Sequence, residues 1–454
     1  MTGRGRTHAT SPDCDQMSSP RMCPAHTGRC KATCSRVKAS SLPEVPRTGR
    51  ERARFKSKER GRATSAERAT SPMKKTEHTS KRKNATCSPL NKVLMETLDK
   101  LKIKKQLRSE ATAVVNEIVE NIIKHMRTTE CFYNVKKRST GSQYENVKIS
   151  QPDEFDVMLT VPVQSVIVQP FDVEGAFYTV ALKGYPRKHP LNNFVQEDGR
   201  SISASAMLEQ FRTHVIKAVK HMADVKVERK KRGCPAVTLQ IEEKDLLIGL
   251  DVVLGLEVRS CWPLHTQDGF RVEEWLGAKT RRDFTFEPFF LVPKYEGAGN
   301  EQMDGVCAKD AWRISFSHVE KSILKNHSQL KTCCKTGGTQ CCRRQCLKLL
   351  KYLLVQLKEK YPKELSKFSS YQAKTALFHA CSVRVSDKDW EMSNLGDCFQ
   401  QLLGDFVAYL RAGHLPNFFV PTHNLLGSRY NQRSRNLLAK CIEFEQNNMF
   451  PIFR

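Results

Sequence analysis

No run of about 18 to 20 apolar residues occurs in this chain, which removes the helical means of crossing a bilayer. Nor do the first residues, Met1-Thr-Gly-Arg-Gly-Arg, offer the apolar stretch that a secretory leader needs. Both absences lead us to expect an intracellular protein of cytosol and nucleus, between which composition does not discriminate. Acidic residues are the third shortage. Asp and Glu number 48 against 75 Lys and Arg, a net charge of +27 with a pI near 9.5. That excess says little about fold but predicts attraction to polyanions, either nucleic acid or an acidic membrane surface. Cysteine, by contrast, is plentiful at 17 residues. In a reducing compartment such thiols are free or bind metal rather than forming a disulfide framework.

At 454 residues, 39% of them hydrophobic, the chain is long enough for two domains and a tail, taking about 150 residues per domain. Residues 1–88 are rich in Arg, Lys, Ser, Thr and Pro and poor in Leu, Ile and Phe. They cannot bury enough surface to offset their ordering entropy, so we expect a disordered basic arm. It carries +14 of the net charge, which suits nucleic acid bound without sequence preference, or a solubilising or localisation tail. Ser11, Ser19, Ser71 and Ser88 each precede proline, and phosphorylation there would reduce the charge. From Leu90 to Met126 apolar residues recur at helical spacing (Val93, Leu94, Leu98, Leu101, then Val114, Val115, Ile118, Ile122, Ile123), which predicts two helices broken near Ser109. Strand patterns follow over Phe155–Val163, Ser165–Val168, Ala176–Leu182, Ala236–Ile241 and Leu246–Val258, with a helix over Ser201–Met222 between them. After Pro293 helical spacing dominates, as in Leu347, Leu350, Leu354 and Leu357 before Pro362. The expected fold is an α/β lobe over 89–293 followed by a helical lobe over 294–454.

Three features give the first lobe a catalytic look. Gly141-Ser142 follows a basic turn, Lys136-Lys-Arg-Ser-Thr140. Glycine lets a ligand approach the backbone, and the adjacent hydroxyl and amides can hold phosphate. Glu154-Phe-Asp156 enters a strand, so both carboxylates share one face and Phe155 and Val157 the other. Two such acids repel unless a cation lies between them. Asp251 sits inside Leu246-Leu-Ile-Gly-Leu-Asp-Val-Val-Leu-Gly-Leu. An ionised carboxylate in so apolar a strand costs several kcal/mol without compensation, which a metal supplies. Asp245 competes, but lies at the strand's start beside Lys244. Together the three features describe metal-dependent phosphoryl transfer, with two ions about 3.5 to 4 Å apart.

The second lobe holds His327-Ser-Gln-Leu-Lys-Thr-Cys333-Cys334 and, after Lys335-Thr-Gly-Gly-Thr-Gln, Cys341. One imidazole and three thiols suit tetrahedral structural zinc. Cys342 and Cys346 are further sulfurs nearby, so spacing alone leaves the third thiol ambiguous. Lys331, Lys335, Arg343, Arg344, Lys348 and Lys351 crowd the same segment. Such cations neutralise phosphates without reading sequence, and with no aromatic ladder among them a duplex backbone is the better target.

The pattern Thr140-Gly-Ser-(x11)-Glu154-x-Asp156 with Asp251 resembles the nucleotidyltransferase-fold superfamily. The flanking Tyr144-Glu-Asn-Val-Lys-Ile-Ser and Arg232-Gly-Cys-Pro-Ala-Val-Thr-Leu resemble, more narrowly, the cyclic GMP-AMP synthases of the Mab-21 family, from Pro89 to Arg454. The resemblance implies a bilobal enzyme, activated by double-stranded DNA, that joins ATP and GTP into a cyclic dinucleotide with 2′-5′ and 3′-5′ linkages in innate immune sensing. Glu154, Asp156 and Asp251 would bind two magnesium ions, with manganese as a substitute. Thr140, Gly141, Ser142, Lys294, Arg313, Ser315, Glu320, Lys351, Ser370 and Tyr371 would contact nucleotide. A zinc ion would sit on His327, Cys333, Cys334 and Cys341, in an insertion that meets DNA and supports a homodimer. Lys102, Lys105, Arg108, Lys321, Lys331, Arg344 and Lys348 would face the duplex. Val253 stands where the family often has threonine, Lys335 where it has an acid, and Val163 and Gly175 near arginines that grip nucleosomes, so weaker nucleosome tethering is expected. The competing readings are an oligoadenylate-synthase-like enzyme activated by double-stranded RNA, and a catalytically silent nucleic-acid-binding scaffold.

Overall fold

The computed structural model describes residues 88–184, 189–243, 246–329, 333 and 340–454. The expected basic arm therefore lies outside the described residues except for Ser88, as do Asp245, Lys331, Cys334 and Lys335. Ser88 starts the fold. Its hydroxyl accepts from the Asn91 amide at 3.2 Å and Pro89 occupies the first turn, so helix α1 (Pro89–Lys100) begins where capping chemistry predicts. Helix α2 spans Lys105–Met126. The break falls at residues 101–104, not near Ser109, which lies inside α2. Lys100, Lys102, Lys104 and Lys105 would stack like charges on a continued helix. A single serine costs a helix only a few tenths of a kcal/mol. Val115, Ile118, Val119, Ile122 and Ile123 form the buried stripe of α2, which packs on α4 (Ala204–Val219).

The sheet consists of β1 (Lys136–Thr140), β2 (Glu154–Val163), β3 (Val166–Pro170), β4 (Phe177–Leu182), β5 (Val225–Val227), β6 (Ala236–Glu243), β7 (Leu246–Val258), β8 (Phe289–Val292) and β11 (Trp312–Ser315). A separate small hairpin pairs β9 (Gln302–Met303) with β10 (Val306–Cys307). The main order is β1-β2-β7-β8-β11-β4-β3, with β6 on β7 and β5 on β6. Within this sheet β2 and β7 run parallel while the other described pairings are antiparallel. Two expectations are corrected here. The basic segment 136–140 is a strand rather than a turn, because it pairs residue for residue with β2. The sheet also continues past Pro293, since β11 bonds β8 on one side and β4 on the other.

Four short helices adjoin the first lobe or follow the sheet: α3 (Gly141–Tyr144), α5 (Glu273–Leu276), α6 (Ala278–Thr285) and α7 (Ser317–Lys325). The helical lobe follows as α8 (Arg343–Lys360), α9 (Pro362–Leu365), α10 (Ser370–Val383), α11 (Leu395–Ala412) and α12 (Gln432–Asn447). Leu347, Leu350, Leu354 and Leu357 of α8 are buried, as their spacing predicts. Among the described residues no helix is long and apolar enough to cross a membrane, and no described cysteine is joined in a disulfide.

Candidate active site

Parallel register is what assembles the acids. Asp156 of β2 lies directly beside Asp251 of β7, at the roughly 4.8 Å spacing of neighbouring strands. Glu154 projects two residues earlier on the same face. On the opposite face Phe155, Val157, Leu250 and Val252 are fully buried, which fixes which way the carboxylates point. Each acid has a different environment. Thr238 of β6 donates to Asp251 at 2.6 Å. Buried Lys148 pairs with Glu154 at 2.9 Å and with Asp153 at 3.1 Å. Burial, reinforced by the charges of Glu154, Asp251 and Glu145 and opposed by Lys374, pushes the Asp156 carboxyl up to about 6. The sequence singled out Asp251 as the costly acid. The structure moves that role to Asp156, whose carboxyl is raised by burial and by three neighbouring carboxylates, whereas Asp251 accepts the Thr238 bond.

Gly141 comes against this cluster from the far end of β1. Its φ is +79°, and a Cβ there would stand 2.0 Å from Asp156 Oδ2. Only glycine tolerates both the backbone angle and the approach. Helix α3 carries Ser142 past the acids, and Asn146, at φ 62°, ends the turn in the left-handed region. Three carboxylates, two of them with a partnered oxygen and one raised by burial and neighbouring acids, make a donor set suited to hard divalent cations.

A cavity of about 550 Å³ opens beside Asp156, lined on the strand side by Val253, Lys294, Arg313 and Ser315 and on the helical side by Glu320 and Tyr371. Arg313 lies 6.0 Å from the Tyr371 ring centre. The Arg313 charge, with burial, lowers the Lys294 amine to about 8. Two crowded cations, only partly offset by Glu296 of the same wall, are a site for phosphate or for an electron-rich base edge. Val253 packs with Met158, Phe290 and Val292, giving the cavity an apolar floor. Lys351 and Ser370 do not line this cavity. Lys351 is buried and donates to the Val147 carbonyl at 2.9 Å, and Ser370 is exposed at the start of α10. Sequence reasoning missed Lys148, Glu145 and Lys374. Lys374 bridges Glu145 at 2.7 Å and Glu320 at 3.1 Å, and no local pattern in the sequence relates residues so far apart.

In the helical lobe the ligand atoms of His327, Cys333 and Cys341 all lie within 4.8 Å of one another. His327 Nε2 is 3.1 Å from Cys341 Sγ and 3.7 Å from Cys333 Sγ, bracketing the edge of about 3.6 Å in a tetrahedron of zinc–ligand bonds. Its Nδ1 donates to the Leu324 carbonyl at 2.9 Å, which leaves Nε2 as the lone-pair donor. The cluster fits a structural zinc ion.

Arg108, Arg344 and Lys348 form one patch across α2 and α8, and burial with the charges of Arg344 and Arg108 lowers the Lys348 amine. Lys102 and Lys105 are exposed nearby in sequence, and Lys102 pairs with Asp99 at 2.6 Å. Lys321 donates to the Ser139 carbonyl at 2.7 Å. Arg108 reaches α3 and the turn after it, donating to the Gln143 carbonyl at 2.7 Å and to Asn146 Oδ1 at 3.0 Å. Arg343 is not part of that patch. It is 1% exposed, pairs with Asp387 at 2.8 Å and lies 5.4 Å from the Trp390 ring centre, so its charge is internal rather than part of a phosphate-facing surface.

Parallel strands that align three acids against a left-handed glycine turn, backed by a helical lobe, define a nucleotidyltransferase, and the protein is therefore an enzyme. Residues 143–326 match the Mab-21 protein nucleotidyltransferase domain and residues 342–444 the Mab-21 protein HhH/H2TH-like domain. The chain is 43% identical over 364 residues to the cyclic GMP-AMP synthase of Mus musculus, covering 79% of this chain and 70% of the mouse protein. It is likewise 43% identical over 366 residues to that of Sus scrofa, with 79% and 72% covered. A cyclic GMP-AMP synthase-like receptor of Magallana gigas is 26% identical over 305 residues, covering 65% of this chain and 48% of the receptor. The chain belongs to the cyclic GMP-AMP synthase family.

Proposed function

We propose that the enzyme joins ATP and GTP into 2′,3′-cyclic GMP-AMP, a second messenger of innate immunity, when duplex DNA binds its basic patch. The observation that carries this reading is the in-register pair Asp156–Asp251 with Glu154, set against Gly141 and opening on a cavity of nucleotide dimensions. Glu154, Asp156 and Asp251 would hold two magnesium ions, which when bound supply charge neutralisation at the triphosphate and lower the pKa of the attacking ribose hydroxyl. The protein does the rest. Lys294 and Arg313 hold anionic or carbonyl oxygens, and Tyr371 offers a stacking face beside Arg313. Ser142 meets phosphate as α3 seats next to Asp156, and the apolar floor at Val253 excludes water from one side of the base.

DNA enters as a ligand that prefers one conformer. Arg108 belongs to the cationic patch and also bonds the loop carrying Gln143 and Asn146. A phosphate drawn to Arg108, Arg344 and Lys348 therefore acts on the short helix that carries Ser142, which is how binding shifts a population. Lys102, Lys105 and Lys321 extend the same footing, and the zinc loop at His327, Cys333 and Cys341 supports it and a second copy of the chain on one duplex. Cytosol and nucleus both supply the ATP, GTP and magnesium required, and nucleosomes are weak partners because Val163 and Gly175 offer no arginine.

The test is an activator comparison. With ATP, GTP and magnesium supplied, duplex DNA should raise the rate of nucleotide consumption by orders of magnitude over duplex RNA or no nucleic acid. Activation by RNA alone would transfer the reading to an oligoadenylate-synthase-like enzyme.

A further inference from the structure

We infer that Lys374 is a positioning residue that seats the segment Gly141–Val147 against the acids, through Glu145, and shares that bond with the nucleotide cavity through Glu320. The inference rests on reading that segment as part of the catalytic apparatus. Its basis is an imbalance of partners. Glu145 caps the C-terminus of α3, three residues after Ser142, and is 1% exposed. Lys374 Nζ donates to its Oε1 at 2.7 Å, while its Oε2 is buried without a protein partner. Gln143, 3% exposed, leaves both its amide oxygen and its amide nitrogen unpartnered. Three unpartnered polar atoms, on Gln143 and Glu145, oppose the position that this segment holds.

What keeps it there comes from two other helices. Arg108 of α2 holds the backbone at Gln143 and the side chain of Asn146. Lys374 of α10 holds Glu145, and it is the stronger tie because both groups are charged and lie away from water. The same ammonium bonds Glu320 of α7 at 3.1 Å, and Glu320 lines the cavity beside Asp156. The position of the segment and the arrangement of the cavity wall therefore depend on one amine. A ligand that draws Glu320 toward itself leaves Lys374 to Glu145 alone and tightens the seat, so cavity occupancy and segment order rise together.

The experiment uses the full chain and three substitutions, Lys374→Met, Lys374→Arg and the isosteric Glu145→Gln. Hydrogen exchange of the amides in 141–147 is measured first in the free protein, without nucleotide or DNA. Loss of a charge-assisted bond inside the fold should speed exchange there by about tenfold to a hundredfold in Lys374→Met and Glu145→Gln. Exchange in β2 and β7 should stay unchanged, and Lys374→Arg should recover most of the protection. In turnover with nucleotide and duplex DNA, Glu145→Gln should lower kcat while leaving the nucleotide KM within about twofold. Unchanged exchange in 141–147 in both Lys374→Met and Glu145→Gln overturns the inference, as does a Glu145→Gln enzyme with a raised KM and an unaltered kcat. Should Lys374→Met not fold, Glu145→Gln and Lys374→Arg decide alone. A parent protein that makes no cyclic dinucleotide, yet shows the exchange pattern, defeats the proposed function and leaves this assignment standing.

Discussion

Replacing Asp156 with Asn should stabilise the metal-free protein while abolishing its chemistry. Moving a carboxyl from its ordinary 3.8 to about 6 corresponds to a penalty of about 3 kcal/mol on the ionised form. Below about pH 4 the group is neutral in folded and unfolded chains alike, and it costs nothing. As pH rises from there the unfolded chain releases its proton first, so the cost grows until the folded carboxyl ionises near pH 6, and it is complete above that. An amide of the same shape carries no such penalty. Chemical denaturation in the presence of a chelator should therefore show Asp156→Asn more stable than the parent by about 2 to 3 kcal/mol at pH 7.5, with the gain vanishing toward pH 4. Added magnesium should narrow the gap by stabilising the parent alone, since an ion that binds only the native state adds to its stability. An advantage that is absent at pH 7.5, or constant from pH 4 to 8, would refute the argument that burial and neighbouring acids make Asp156 the costly member of the site.

Three further outcomes are expected. Gly141→Ala should reduce synthesis by at least about a hundredfold and cost about 1 to 3 kcal/mol, because the new Cβ meets Asp156 at a φ of +79°. Turnover and thermal denaturation measure the two effects. Arg343→Ala should destabilise the fold by about 3 kcal/mol, because it removes a buried guanidinium that pairs with Asp387 and packs on Trp390, and should not change the affinity of folded protein for duplex DNA. Arg344→Ala should do the reverse, weakening DNA and lowering the slope of log affinity against log salt by about 0.9. Cys341→Ala should lose its zinc in elemental analysis together with DNA-dependent turnover, and an unchanged zinc content would count against the assigned cluster.

The acids were legible in the sequence because strand periodicity is local. Acid-x-acid in β2 and a lone acid in β7 each have a pattern of their own, and the Gly-Ser pair marks a turn. Their in-register pairing was not legible, because parallel strands separated by some ninety residues leave no local trace of register. That is why Asp251, conspicuous in its apolar run, drew the attention that Asp156 merits once neighbouring charges are counted. Strand β1 was missed because Lys-Lys-Arg-Ser-Thr has the composition of an exposed loop, and pairing with β2 rather than propensity makes it a strand. Strand β11 lay inside a region whose pattern is otherwise helical. Charge runs misled for a related reason. Arg343, Arg344, Lys348 and Lys351 sit within nine residues, yet α8 turns Arg343 and Lys351 inward and leaves Arg344 and Lys348 toward Arg108. The carboxylate partners that make the inward turn tolerable, such as Asp387, come from distant elements.

The most direct test of the account is mass spectrometry of the product made from ATP and GTP with magnesium, in the presence and absence of a long DNA duplex. The account predicts one cyclic dinucleotide containing one GMP and one AMP, formed with DNA and nearly absent without it, in which nuclease digestion finds one 2′-5′ and one 3′-5′ linkage. A linear oligoadenylate, a product indifferent to DNA, or no product from folded, zinc-loaded protein would contradict it.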